Sequence, residues 1–233
     1  MSDNPTDTHL LYHTILAHIH SRLALVLAGI DFEDDRISFD SWKELKPTTP
    51  FGQLPLLQVN DGPVQTQSMA MLRWVGAQDK AGALYPVTTD AAAAYAIEEA
   101  LGVLQDFQNS WTPCLYMGRK PEVFGHAPGL GQTEQGKALI QKVREQWVKE
   151  SLPNYCVNLE KLLTKHDGAW LASNGDAPTI ADCVAVPFLR SFTRGHIDHV
   201  PTDVLDAYPA IKKYVQRFCA KVPGRYADGL HEE

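Results

Sequence analysis

Residues 50–68 read PFGQLPLLQVNDGPVQTQS, and their order decides what kind of sheet the chain can build. Leu54 to Val59 is an apolar run of strand length, entered through a Leu-Pro step. Asn60-Asp61-Gly62 is a hairpin turn signal, because these residue types tolerate the positive φ that tight turns need. Val64 to Thr66 reads as the returning strand. Gln67-Ser68 then stands where a strand gives way to a helix, which begins at Met69 and runs through Trp74 with its apolar positions on one side.

Toward the N-terminus, Leu10, Leu11 and Tyr12 form a short apolar run suited to a strand. Ile19, Leu23, Val26 and Leu27 follow at helical spacing, and Gly29 closes that helix. Phe32 to Phe39 suits a second strand anchored by Phe32 and Ile37, and Ser41 to Phe51 is a polar loop with a short helix. Toward the C-terminus, residues 78–90 are rich in Gly, Ala, Pro and Thr and read as a linker. Beyond it the periodicity is helical throughout. Helices are expected over Ala91 to Trp111, over Gln132 to Lys165 with an interruption at Pro153, over Thr179 to Phe192 and over Pro209 to Lys221. A loop rich in Gly and Pro spans Gly118 to Gly131.

The bulk composition narrows the function. Apolar residues make up 44% of the 233, as in a globular protein. The net charge of −7 comes from 21 basic and 28 acidic residues without a basic cluster, which argues against a nucleic-acid partner. No apolar run approaches the roughly 20 residues of a membrane span, and MSDNPTDTHL lacks a signal pattern. A cytoplasmic protein is expected. The four cysteines form no C-x-x-C pair and read as small buried hydrophobes. No Cys/His spacing suits a metal, so none is expected.

The order β-α-β-α-β-β-α over residues 1–80, a linker at 81–90 and helices over 91–233 resembles the cytosolic glutathione transferases: an α/β thioredoxin-like domain followed by an all-α domain. The segment Pro50 to Leu57, Gln67-Ser68 one hairpin later, Thr179-Ile180-Ala181-Asp182, and the ending from Tyr208-Pro209-Ala210 carry the resemblance. Tyr12 after a Leu-Leu strand, with Trp42 and Lys46, makes the chain most similar to the sigma class.

The resemblance implies a homodimeric detoxifying enzyme that conjugates glutathione, as co-substrate, to a small apolar electrophile. A glutathione-dependent isomerase of the prostaglandin type, or a non-catalytic ligand-binding or crystallin-like protein, are the alternatives on the same fold. It implies that Gln53, Leu54 and Pro55, with a cis Leu54-Pro55 bond, offer backbone pairing to the tripeptide. Gln67 and Ser68, at a helix N-terminus, suit its γ-glutamyl carboxylate. Trp42 and Lys46 would hold the glycyl carboxylate, and Asp106 would reach the partner subunit's glutathione amine. Tyr12 would donate a phenolic hydrogen bond to the thiolate, lowering a thiol pKa of about 8.5. Ile15, Leu16, Trp111 and Tyr116 would line the electrophile pocket. Sigma-like relatives carry arginines shortly after the tyrosine, whereas residues 13–18 here are HTILAH. Thr179 and Asp182 form a capping box, which is structural.

Overall fold

The computed structural model describes residues 8–13 and 19–223. Its small sheet has the order β2-β1-β3, where β1 is Thr8–His13, β2 Glu33–Ile37 and β3 Leu56–Val59. β1 runs parallel to β2, from His9 opposite Glu33 to His13 opposite Ile37. It runs antiparallel to β3, with Thr8 opposite Val59. Leu10 and Leu57 face the core and are fully buried. Helices α1 (Ile19–Leu27) and α3 (Ser68–Ala77) pack against each other, and α2 (Phe39–Leu45) connects β2 to β3 along the chain.

Two expectations fail locally. The returning strand after the hairpin is a single bridge between Leu57 and Gln65. Pro63 lacks an N–H and Val64 is exposed, so neither pairing nor burial extends the ladder. Phe39 does not end a strand. The Ser38 hydroxyl accepts the Ser41 N–H at 3.1 Å and starts α2 there, leaving Phe39 exposed.

The remaining helices are α4 (Ala91–Arg119), α5 (Glu134–Gln146), α6 (Leu152–Lys165), α7 (Ile180–Thr193) and α8 (Pro209–Lys221). α4 runs about two turns beyond the expected end at Trp111 and through Pro113. The proline deletes one helical hydrogen bond, but Trp111 and Cys114 on either side are buried and hold the axis. Pro153 does interrupt: a wide turn over Trp147–Ser151 separates α5 from α6. The proline falls in the first turn of α6, where its missing N–H has no helical acceptor.

The buried residues of α4 make a long apolar face, from Ala94 to Cys114. The chain itself covers that face with α5, α6 and α7. Phe107 stacks on Tyr155 at 4.7 Å, and Trp111 meets Trp147 at 4.7 Å and Phe192 at 5.1 Å.

Buried Asp182 joins the start of α7 to α8. It accepts hydrogen bonds from Thr179 N–H (2.7 Å), Thr179 hydroxyl (2.9 Å), Leu171 N–H (3.1 Å) and Tyr214 hydroxyl (2.8 Å). Burial pushes the Asp182 carboxyl upward, against the pull of those donors. The α1/α3 layer meets α7 where Gly76 lies; a Cβ there would come within 2.5 Å of Ile180 and 2.9 Å of Tyr85. The segment after α3 is ordered. Asp79 accepts the N–H groups of Ala81, Ala83 and Leu84, and Leu84 in turn accepts the Ile180 N–H at 3.0 Å.

All four cysteines are free thiols; Cys114, Cys156 and Cys183 are buried and Cys219 is half-buried. Burial pushes Cys114 up to about 11 and Cys156 up to about 12, and raises Cys183 and Cys219 as well.

Candidate active site

A cleft of about 600 Å³ opens where the turn before β3, the start of α3 and the last turns of α4 converge. Trp42, Gln53, Leu54, Pro55, Gln67 and Ser68 line one side of it, and Tyr116 and Lys120 the other. The Leu54-Pro55 peptide bond is cis.

Local geometry explains why these residues meet. Ser68 is the first residue of α3, so it presents one of the unpaired N–H groups of a helix start. Gln67 before it has φ 68° and ψ 100°, a conformation rare for a residue with a side chain. That backbone turns the chain from the Leu57–Gln65 bridge into α3, and strain of this kind collects at functional sites. The Gln67 side-chain amide donates to the Gln53 carbonyl at 3.3 Å, across the cleft wall. The Ser21 hydroxyl of α1 donates to the Ser68 carbonyl at 3.4 Å and ties the helix start to the layer beneath.

Trp42 sits in α2, whose C-cap Lys46 donates its backbone N–H to the Trp42 carbonyl. The Lys46 stem passes beside Gly52, which has φ +60°; a Cβ at Gly52 would stand 3.5 Å from Lys46 Cε. Glycine is needed there for its backbone angle rather than for space. Lys46 is exposed beside the cleft, and no carboxylate partner is seen for it among the described residues. With Lys120 opposite, the mouth of the cleft carries cations and the α3 N-terminus carries partial positive charge. The arrangement suits an extended ligand with an anionic group at each end.

The other expected site residues are distributed differently. Tyr12 lies on β1 with its backbone opposite Arg36 of β2; its side chain, with Ile15 and Leu16, lies outside the described residues. Trp111 is 5% exposed and belongs to the aromatic core, because it falls on the same α4 face as Leu104 and Phe107. Asp106 is exposed on α4 in a separate hollow beside Asn109, Asn154 and Asn158. Thr66 and Lys120 line the cleft without having been expected there. Lys120 follows Tyr116 by one helical turn, but a helix read as ending near Trp111 conceals that spacing.

Comparison with known proteins bears on the family and the fold. The N-terminal domain of glutathione S-transferases matches residues 20–78, and their C-terminal domain matches residues 130–222. Glutathione S-transferase 1 of Ascaris suum is 30% identical over 196 residues, covering 84% of this chain and 82% of that protein. Among solved structures, the glutathione S-transferase of Ascaris lumbricoides is 25% identical with a TM-score of 0.69, over 97% of this chain and 98% of that one. The sigma class transferase of Fasciola hepatica shares the fold at 21% identity, with a TM-score of 0.71 over 99% of both chains.

Proposed function

The chain belongs to the glutathione S-transferase family, and from that premise we propose that it conjugates glutathione to small apolar electrophiles in the cleft between α3 and α4. The observation that carries this reading is the meeting of Gln53, Gln67 and Ser68 at the start of α3 with Trp42 and Tyr116 in one cleft. The γ-glutamyl carboxylate takes the Ser68 N–H and hydroxyl at the positive end of α3. The tripeptide backbone lies along Leu54 as an added strand. Its glycyl carboxylate is drawn by Trp42 and Lys46.

In this reading Tyr12, at the end of β1, keeps its proton and donates a phenolic O–H hydrogen bond to the glutathione sulfur, whose own thiol proton leaves to solvent. A charge-assisted hydrogen bond favours the thiolate over the thiol, which raises the nucleophile's concentration near neutral pH. The thiolate then forms a C–S bond with the electrophile held against Tyr116, either expelling that carbon's leaving group as an anion or adding to an activated double bond whose carbanion takes a proton from water. The working unit is a homodimer in which Asp106 reaches the glutathione of the partner subunit.

The test pairs calorimetry with a chromogenic conjugation assay. Wild-type protein is expected to bind glutathione and to turn over. Tyr12→Phe is expected to keep the affinity and lose most of the turnover, since the phenol acts on the anion and not on the tripeptide. Full turnover in that variant would remove Tyr12 from the mechanism, and no glutathione binding in the wild type would remove the whole reading.

A further inference from the structure

The acidic run Glu33-Asp34-Asp35 of β2 divides its charges between the two faces of the sheet. Asp34 points toward α1, where Arg22 Nε lies 3.5 Å from its carboxylate and Arg36 Nη2 lies 3.1 Å from it. Glu33 and Asp35 point to the other face. There the parallel register sets His9 of β1 directly opposite Glu33. His9 Nδ1 lies 2.9 Å from Glu33 Oε2 and 3.8 Å from Asp35 Oδ2. Among the described residues, neither carboxylate has another cationic partner. These two carboxylates share, among the described residues, the His9 ring, whereas Arg22 and Arg36 stand beside Asp34 one residue away.

We propose that His9, Glu33 and Asp35 form a surface site for a divalent transition-metal ion of the Zn²⁺ type, separate from the glutathione cleft. One ligand atom from each residue lies within 4.8 Å of the other two. Metal–ligand bonds of about 2.0–2.1 Å at tetrahedral angles set ligand atoms about 3.3 Å apart, so small side-chain rotations close the set around one ion. A divalent cation with a neutral imidazole balances the two carboxylates, which an imidazolium alone does not. The imidazole selects zinc, cobalt, nickel or copper over calcium and magnesium, which take oxygen ligands. The three residues stand on hydrogen-bonded neighbouring strands, so their Cα positions are fixed before the ion arrives. The partial exposure of the three side chains leaves the remaining coordination positions to water. In the sequence the set is concealed, because only strand pairing brings His9 to Glu33.

Cobalt(II) and zinc(II) titrations of the full chain test the site, by visible absorption for cobalt and by calorimetry for zinc. The expected result is one site at micromolar metal, with cobalt bands that zinc displaces and magnesium does not. Glu33→Gln and His9→Ala, each checked for native circular dichroism, are expected to weaken that site by more than about tenfold. Glutathione affinity is expected to stay unchanged in both. Unchanged stoichiometry and affinity in His9→Ala would place the metal on other histidines and overturn the proposal. Absence of micromolar binding in the wild type would overturn it equally. Neither outcome bears on the glutathione cleft, which the same samples report through glutathione calorimetry.

Discussion

Gln67 is the residue at which backbone and chemistry disagree most. A side chain at φ 68°, ψ 100° is held against its own preference. Gln67→Gly is therefore expected to keep or raise the unfolding temperature while weakening glutathione binding; a lowered temperature with unchanged binding would refute the strain-for-function reading. Ser68→Ala removes a hydrogen bond to a charged ligand, worth roughly 1.5–3 kcal/mol, so calorimetry should show about 10- to 100-fold weaker glutathione binding. This half of the cleft was legible in the sequence, because a hairpin, a glutamine and a helix-starting serine occupy adjacent positions. The α4 half was not. Trp111 and Tyr116 look alike as aromatic helix residues, and only the packing of Trp147, in the turn after α5, and of Phe192 in α7 sends one into the core and leaves the other at the cleft. Lys120 was lost with the missing end of the helix.

At the scale of elements, two contacts tie α3 to the helical half. The first is steric. Gly76→Ala would drive a methyl into Ile180 and Tyr85, and overpacking of that kind costs about 1–3 kcal/mol; a denaturant midpoint unchanged from wild type would show that α3 and α7 separate freely. The second is ionic. Arg73 of α3 holds Glu98 of α4 through Nε–Oε1 at 2.7 Å and Nη2–Oε2 at 2.8 Å, and the Tyr85 hydroxyl adds a bond at 2.9 Å. The Arg73 hydrogen bond, ahead of the opposing effect of burial, holds Glu98 below the usual carboxylate range. A depressed carboxylate pKa contributes stability that is fully present above the unfolded value, about 4.3, and is lost as pH falls through the lower folded value. Glu98→Gln should therefore lower the unfolding temperature at neutral pH and converge on wild type under acid. A constant difference across pH would mean that the charge is not the source. Element boundaries followed the sequence where a start signal and burial agree, as in α8, which opens on Pro209 and runs to Lys221. They departed from it where burial alone decided, as in the extension of α4 past Pro113 and the single bridge at Gln65.

For the molecule as a whole, the proposed homodimer draws no support from the apolar face of α4, which the chain covers by itself. It rests on family resemblance and on the exposed Asp106. Sedimentation at micromolar concentration is expected to show a dimer, and Asp106→Asn is expected to weaken glutathione binding without changing that state. A stable monomer would take Asp106 out of the site. The cysteines bear on the same activity in another way. A protein that gathers electrophiles around an activated sulfur exposes its own sulfurs to them. A thiol held near a pKa of 11 is ionised to about one part in ten thousand at pH 7, and burial has raised all four thiols of this chain in the same direction. While the chain stays folded its thiols are held as weak nucleophiles, and alkylation of the three buried cysteines becomes a record of unfolding.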